Sequence, residues 1–395
     1  MAVTGNLSSI LASRISHILD LKGISLTIDT ACSSSLIALH QACQAIKHGE
    51  IEQAIIGSIK INYMPLKGQL NFGVSSSDGK TKTFNNNSDG TGSGEGSIAL
   101  ILKSLNKAIK DKDAIYAVIK GSAVNQDGKS MGISAPNVLA QESVIQSAWK
   151  NANIDPCSIS YIEAHGTGTR LGDSIEIEAI TKAFSKYTNK KMFCGIGSIK
   201  TNFGHLDNAS GMTGILKAIL SLKTKKLFPN IHFTMPNKNI FFEESPIYVV
   251  DQLADWNTDG ASRRCGVSTF GFSGTNCHVI LEEFIDKVQE NHELNKPNLF
   301  LLSAKSLEAL EELIDNYKDF LDDNNKIDLS SICYTLVKGR WHYEYRLAIV
   351  VENLEELTEK LANIKNYSDE ELIFNDIFLS TKKDIFNKIQ IDDKI

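Results

Sequence analysis

The chain has 395 residues, 42% of them hydrophobic and 22% charged, with a formal net charge of −6. That composition suits a water-soluble globular protein with room for one large domain and a smaller one, and it gives no basic footprint for nucleic acid. No apolar run is long enough to span a bilayer and the N-terminus lacks the pattern of a signal peptide, so a cytoplasmic protein is expected. The seven cysteines are scattered and never form Cys-x-x-Cys, which points to reduced thiols and away from a disulfide framework or a structural metal.

The first 20 residues read as loop and then helix, with Leu11, Ile15, Ile18 and Leu19 on one face. Alternation of Leu26 and Ile28 with Thr27 and Asp29 predicts a strand end, and Leu36, Leu39, Cys43 and Ile46 at helical spacing predict a helix from about Ser33. Cys32 lies on the turn between them. Backbone N–H groups and the helix dipole there favour a thiolate, the nucleophilic form, whereas the plainer reading is a buried, inert cysteine.

Further strands are expected at Gln53–Ile61, Ser97–Leu102 and Tyr116–Gly121, with a long loop at Asp78–Gly96. The loop's run Gly90-Thr91-Gly92-Ser93-Gly94-Glu95-Gly96 matches neither nucleotide fingerprint, so a close backbone crossing is expected. Ala140–Asn151 reads as an amphipathic helix. A strand from Ile159 then enters the loop at His165, and Asp173 and Glu176 suggest a capping box for a helix reaching Phe184.

Phe193–Ile199 reads as a strand, Lys200–His205 as a loop and Ser210–Leu222 as a helix. Strand, polar loop and helix thus recur three times, each loop carrying one reactive side chain: Cys32, His165 or His205. Strand ends in open α/β sheets are where sites form, so the three loops are expected to converge. Arg264–Ser268 and Val279–Glu283 read as strands flanking Phe270–Asn276, where Thr275 breaks the Gly-x-Ser-x-Gly of a serine nucleophile elbow. Residues 285–297 read as a linker, and strands and helices at Asn298–Ala304, Leu307–Leu321, Arg346–Val351 and Leu354–Ile364 as a small α/β module spanning 298–366. The tail, 367–395, reads as frayed or as the start of a next segment.

One cysteine with two histidines admits a Cys–His acyl hydrolase or a carbon–carbon condensing enzyme in which the histidines donate hydrogen bonds to an enolate oxygen. Lys200 is placed to anchor its loop or to bias the histidines by its charge. Four segments decide between these readings by resemblance. Asp29-Thr30-Ala31-Cys32-Ser33-Ser34-Ser35-Leu36, Glu163-Ala164-His165-Gly166-Thr167-Gly168-Thr169, Lys200-Thr201-Asn202-Phe203-Gly204-His205 and Gly271-Phe272-Ser273-Gly274-Thr275-Asn276 resemble the signature segments of β-ketoacyl synthases. The nearest resemblance is to the ketosynthase domains of modular polyketide synthases and polyketide–peptide hybrids, over residues 1 to about 284, and the module after them resembles the one that follows such domains.

The resemblance implies a thiolase-like layered α/β fold, usually homodimeric, and makes Cys32 the acyl-accepting nucleophile. His165 and His205 would assist decarboxylation, Lys200 would support them, and Phe272 would sit near the acyl pocket. The backbone N–H groups of Cys32 and Phe272 would form the oxyanion hole, and Thr167 and Thr169 would contact the pantetheine arm. No metal and no resident cofactor are implied, since the phosphopantetheine belongs to an acyl carrier protein. Extender units would be loaded by an acyltransferase acting elsewhere in the synthase or in trans, because no Gly-x-Ser-x-Gly occurs in the chain. Relatives carry a further N-terminal segment of order 100 residues or more. A non-catalytic truncated fragment, or one half of a split enzyme, is therefore the alternative expectation.

Overall fold

The computed structural model describes residues 3–5, 7–62, 74–286, 297–324 and 327–380, so most of the expected linker and the end of the tail lie outside the described residues. The chain divides into two compact units, Met1–Asp286 and Lys287–Ile395.

In the first unit the elements run α1 (Ser8–Ile18), α2 (Ser34–Lys47), β1 (Gln53–Lys60), β2 (Gly96–Lys103), α3 (Leu105–Lys110), β3 (Val118–Gln126), α4 (Val138–Ala152) and β4 (Tyr161–Glu163). They continue with α5 (Arg170–Ser185), β5 (Cys194–Gly197), α6 (Lys200–Phe203), α7 (Ser210–Thr224), β6 (Lys226–Leu227), β7 (Ile247–Val249), β8 (Ala254–Asp255), β9 (Arg264–Phe270) and β10 (Thr275–Glu282). Six strands form one mixed sheet in the order β3-β10-β9-β4-β5-β7, antiparallel from β3 to β9 and parallel from β9 to β7.

Successive residues of a strand face opposite sides, and β4 shows which helices each side meets. Ile162 belongs to a core built with Val144, Ile145 and Trp149 of α4 and Ile177, Ile180 and Phe184 of α5. Tyr161 belongs to a second core with Leu36 and Leu39 of α2 and Met212, Ile215 and Leu222 of α7. The unit is thus helix, sheet, helix, and the β1–β2 hairpin adds a further layer through Ile56, which joins the second core. Asn137 caps α4 by accepting the Leu139 and Ala140 N–H groups.

Sequence expectations fail at several points. Lys200–Phe203 of an expected loop forms a short helix, and Asp369–Phe374 and Ile377–Ser380 of the expected tail form a helix and a paired strand. Residues 20–29 form no strand, because among the described residues no neighbour pairs with them; Ile24 and Leu26 stand exposed. Asp173 and Glu176 form no capping box: Thr169, the N-cap of α5, makes no side-chain cap hydrogen bond, and both carboxylates are turned to the loop before it.

The second unit has an antiparallel sheet β11 (Asn298–Ala304), β12 (Tyr345–Val351) and β13 (Ile377–Ser380), with helices α8 (Leu307–Asp323), α9 (Leu329–Lys338), α10 (Leu354–Asn363) and α11 (Asp369–Phe374). Phe300, Leu302, Leu310, Ile314, Leu347 and Leu357 share its core. Ser306, Asp328 and Asn353 cap α8, α9 and α10. Among the described residues of the whole chain no helix is long and apolar enough to cross a membrane.

Candidate active site

Cys32 sits one residue before the N-cap of α2, on a turn forced by Ala31, whose φ of 55° lies in the left-handed region that a Cβ disfavours. Small hydroxyl side chains hold that turn. Ser34 Oγ accepts the Thr30 N–H at 2.8 Å and donates to the Ala31 carbonyl at 2.6 Å, while Ser33 Oγ donates to the Thr30 carbonyl at 2.9 Å. Burial pushes the Cys32 thiol up, opposed by the Lys200 ammonium and by a hydrogen bond from the Phe272 backbone. The thiolate expected from the helix end is therefore not the resting form; desolvation outweighs the nearby positive charge.

His165 follows the end of β4, and its loop is held by buried acids. Glu176 accepts the His165 and Gly166 N–H groups at 2.7 and 2.8 Å, and Asp173 accepts those of Gly168 and Phe84 at 3.0 and 2.7 Å. Burial raises both carboxyls to about 7 despite these donors. Gly168 takes φ of 71°, which a side chain would strain. Lys200, at the start of α6 and 3% exposed, donates from Nζ to the His165 carbonyl at 2.6 Å, so it anchors the loop as well as charging the site. Burial, with Lys200 and His205 nearby, holds the His165 imidazole well below its usual range, and its buried Nδ1 finds no hydrogen-bond partner among the described residues.

His205 lies between α6 and α7. Its Nδ1 accepts the Asp207 N–H at 2.8 Å and meets Ser210 Oγ at 2.9 Å. An Nδ1 that accepts a backbone donor leaves the ring proton on Nε2. Burial pushes this imidazole down to about 3, so the ring is neutral and the Asp207 carboxylate, 3.6 Å from Nδ1, makes no ion pair with it. The Asp207 carboxylate pairs instead with Lys60 of β1.

The glycine run crosses both histidine loops. Gly90 donates to the Gly168 carbonyl at 3.0 Å, His205 to that of Gly92 at 2.6 Å, and Gly94 to that of His205 at 3.1 Å. A Cβ on Gly94 would stand 2.0 Å from the Phe203 carbonyl oxygen. The run serves as a close crossing, as its sequence suggested.

These loops bring three groups together: the Cys32 sulfur and one ring nitrogen each of His165 and His205 lie within 4.8 Å of one another. The two rings stand nearly perpendicular, with centroids 5.9 Å apart, and Phe270 packs edge-on against His165 at 5.7 Å. A thiol and two imidazoles can also ligate a metal, but a protonated Nε2 on His205 has no lone pair to offer. The arrangement suits a nucleophilic sulfur flanked by neutral hydrogen-bond donors.

The β9–β10 turn closes the site from the other side. Gly271 packs so tightly that a Cβ would lie 2.5 Å from the Thr30 carbonyl oxygen, and this brings the Phe272 backbone to Cys32. The Phe272 side chain is itself 55% exposed. Thr167 and Thr169, both partly buried, share a hydroxyl–hydroxyl hydrogen bond of 3.1 Å on the His165 loop.

Comparison with known proteins fits this geometry. Family models described as "Beta-ketoacyl synthase, N-terminal domain" and "Beta-ketoacyl synthase, C-terminal domain" match residues 1–108 and 116–234. The solved ketosynthase from module 1 of the bacillaene synthase of Bacillus amyloliquefaciens FZB42 is 37% identical, with a TM-score of 0.84 and a match covering 96% of this chain and 67% of that one. The chain belongs to the β-ketoacyl synthase family.

Among ketosynthases, that from module 6 of the bacillaene synthase of Bacillus subtilis 168 is 41% identical with a TM-score of 0.85, over 96% of this chain and 66% of that one. Polyketide synthase PksL of Bacillus subtilis (strain 168) is 43% identical over 364 residues, which are 91% of this chain and 8% of PksL. The chain thus spans about two thirds of the solved ketosynthases and a small fraction of the curated synthase. A model described as "CurL-like, PKS C-terminal" matches residues 298–361. The layered α/β arrangement is the thiolase-like fold of these ketosynthases.

Sequence reasoning missed the residues that hold this ketosynthase site rather than line it. Glu176 and Asp173 were legible as helix-start acids, but nothing in their spacing says that they accept loop N–H groups. Ser210 carried the faint signal of a hydroxyl five residues after a histidine at a helix start.

Proposed function

We propose that the chain is a polyketide-type β-ketoacyl synthase, carried by the convergence of Cys32, His165 and His205 within 4.8 Å. In the first half-reaction Cys32 Sγ attacks an acyl thioester on a pantetheine arm. The new thioester forms on Cys32, and the thiol proton passes to the departing pantetheine sulfur.

In the second half-reaction a malonyl-type thioester loses carbon dioxide. The electron pair enters an enolate whose oxygen takes hydrogen bonds from the neutral imidazoles, with His205 Nε2–H preset for the task. The enolate carbon attacks the acyl carbonyl on Cys32, the backbone N–H groups of Cys32 and Phe272 receive the tetrahedral oxyanion, and the Cys32 sulfur leaves and regains a proton. Lys200 ties the His165 backbone and offsets the thiol's desolvation. Thr167 and Thr169 would meet the pantetheine arm and Phe272 the acyl chain.

Residues 1–284 carry this activity in our reading, 285–297 link it to an accessory α/β module that begins at 298 and, with α11 and β13, takes in residues up to 380, beyond the expected end at 366. The partners are an acyl carrier protein, whose phosphopantetheine is part of the substrate, an acyltransferase acting elsewhere, and a second copy of the chain. The compartment is the cytoplasm, and no resident cofactor is required.

The test is to incubate the chain with an acyl-pantetheine thioester and find the added acyl mass on the Cys32 peptide, with Cys32→Ala as control. Labelling lost in the variant supports the reading, and folded protein that takes up no acyl group overturns it. A non-catalytic scaffold is the second reading. It draws on the exposed Leu11, Ile15 and Ile18 on one face of α1, an apolar stripe suited to a partner. The same labelling separates the two. Hydrolysis by water in place of carbon–carbon bond formation would mark the minor Cys–His hydrolase reading.

A further inference from the structure

Two residues before His165, Glu163 ends β4 with its side chain inside the protein, 1% exposed. Oε1 accepts the Ile199 N–H at 2.6 Å, and Oε2 accepts the Tyr161 hydroxyl at 2.7 Å and lies 3.0 Å from Nζ of Lys217. Lys217, on α7, is buried as well and places its ammonium 5.6 Å from the centre of the Tyr161 ring. Two missing side chains make the space. A Cβ on Gly197 would lie 3.1 Å from Lys217 Nζ, and one on Gly214 would lie 3.2 Å from Glu163 Cγ.

A buried ion pair is a weak device for stability, because desolvation offsets most of the attraction and an apolar pair often does as well. What Glu163 touches suggests another use. Ile199 directly precedes Lys200, whose Nζ holds the His165 carbonyl and whose charge acts on Cys32. Lys217 belongs to the helix that starts five residues after His205. One carboxylate therefore ties together the strand before His165, the turn before Lys200 and the helix after His205.

We propose that Glu163, paired with Lys217 at 3.0 Å, is a positioning residue of the condensing site: it sets Lys200 against Cys32 and the His165 loop. This rests on the reading of the site given above. It touches neither the sulfur nor the imidazoles, and it acts through Lys200.

The test compares the wild-type chain with Glu163→Gln/Lys217→Met and Glu163→Leu/Lys217→Met. Both variants remove the charge pair as a unit, so neither strands a lone buried charge, and only the first keeps an oxygen for the Ile199 N–H. The readouts are melting temperature, acylation of Cys32 by an acyl-pantetheine thioester, and the rate of Cys32 alkylation by iodoacetamide against pH. The Leu/Met variant is expected to melt near wild type, to alkylate about tenfold more slowly near neutral pH, and to show an alkylation midpoint raised by about one unit as Lys200 draws away. The Gln/Met variant recovers most of that loss.

A Leu/Met variant with the wild-type alkylation profile at an unchanged melting temperature overturns the proposal, as does a folded Gln/Met variant that loses as much as Leu/Met. Should Leu/Met not fold, Glu163→Asp, one methylene short of Ile199 with the charge kept, is read in the same way. Wild-type protein that alkylates normally but takes up no acyl group would sink the condensing reading instead, and the alkylation profiles would still judge Glu163.

Discussion

The Asp207 N–H donates to Nδ1 of His205 at 2.8 Å, and that bond decides what the ring can offer a substrate. With Nδ1 occupied as an acceptor, Nε2 carries the proton and points away as a donor. Burial keeps the ring neutral down to about pH 3.

Decarboxylation of a malonyl-pantetheine thioester should therefore show no histidine titration between pH 5 and 7. An exposed imidazole would protonate near 6.5. Carbon dioxide release measured across that range, with a check that the fold persists, tests this; a midpoint near 6.5 that persists in Glu176→Gln/Asp173→Asn, where neither loop carboxyl can titrate, would contradict a preset neutral donor.

His205→Ala removes one of the two proposed enolate donors. Loss of a single preorganised donor costs roughly 10²–10³ in rate, so decarboxylation should fall by that order while acylation of Cys32 falls much less. Equal losses in both half-reactions would mean that the ring shapes the nucleophile instead.

Glu176 makes the stability depend on pH. Its folded-state value of about 7 lies above the ordinary carboxyl value of 4.5, so the folded state holds the proton longer than the unfolded chain. The stabilisation is fully present below about pH 4.5 and is lost as pH rises through about 7. Denaturation curves should show stability declining over that window. In Glu176→Gln the decline should be shallower by up to about 1.4 kcal/mol per pH unit, with Asp173 keeping its own share.

Gly94→Ala puts a methyl group 2.0 Å from the Phe203 carbonyl oxygen, a contact that only backbone movement can relieve. The expected cost is about 1–3 kcal/mol or more, together with slower decarboxylation, because the Phe203 and His205 backbones are what must move. Urea denaturation and carbon dioxide release would report the two effects separately.

In the second unit, Leu357→Ala empties a fully buried position between α10 and the sheet. It should cost about 2–5 kcal/mol and leave Cys32 acylation unchanged. Acylation lost in step with the unit's unfolding would show that the first unit depends on the second.

Much of the site was legible because chemistry fixed the residue types and the strand–loop–helix pattern placed them. The strand Asn298–Ala304 follows from its short apolar run and the start of α7 at Ser210 from helical spacing. Two of the failures share one cause: pattern does not reveal the partner. Leu26 and Ile28 alternate like a strand, but a strand exists only through pairing, and no neighbour is present among the described residues. Asp173 and Glu176 are spaced like a cap, yet the loop before them competes for their oxygens and wins, since a buried loop without acceptors would leave N–H groups unpaired. The α9 helix, Leu329–Lys338, passed unseen because Ser330, Ser331, Ile332, Cys333, Tyr334, Thr335 and Val337 among its ten residues have weak helix preference.

The crossing of Gly90–Gly94 over both histidine loops constrains how such a site can be redesigned. Each loop is stitched to the same few glycines, so the two imidazoles shift as one mechanical part and their spacing cannot be tuned one ring at a time. Under the proposed function, where Phe272 meets the acyl chain, a change of substrate range is sought at that exposed side chain, which the run does not reach, and the glycines are left alone.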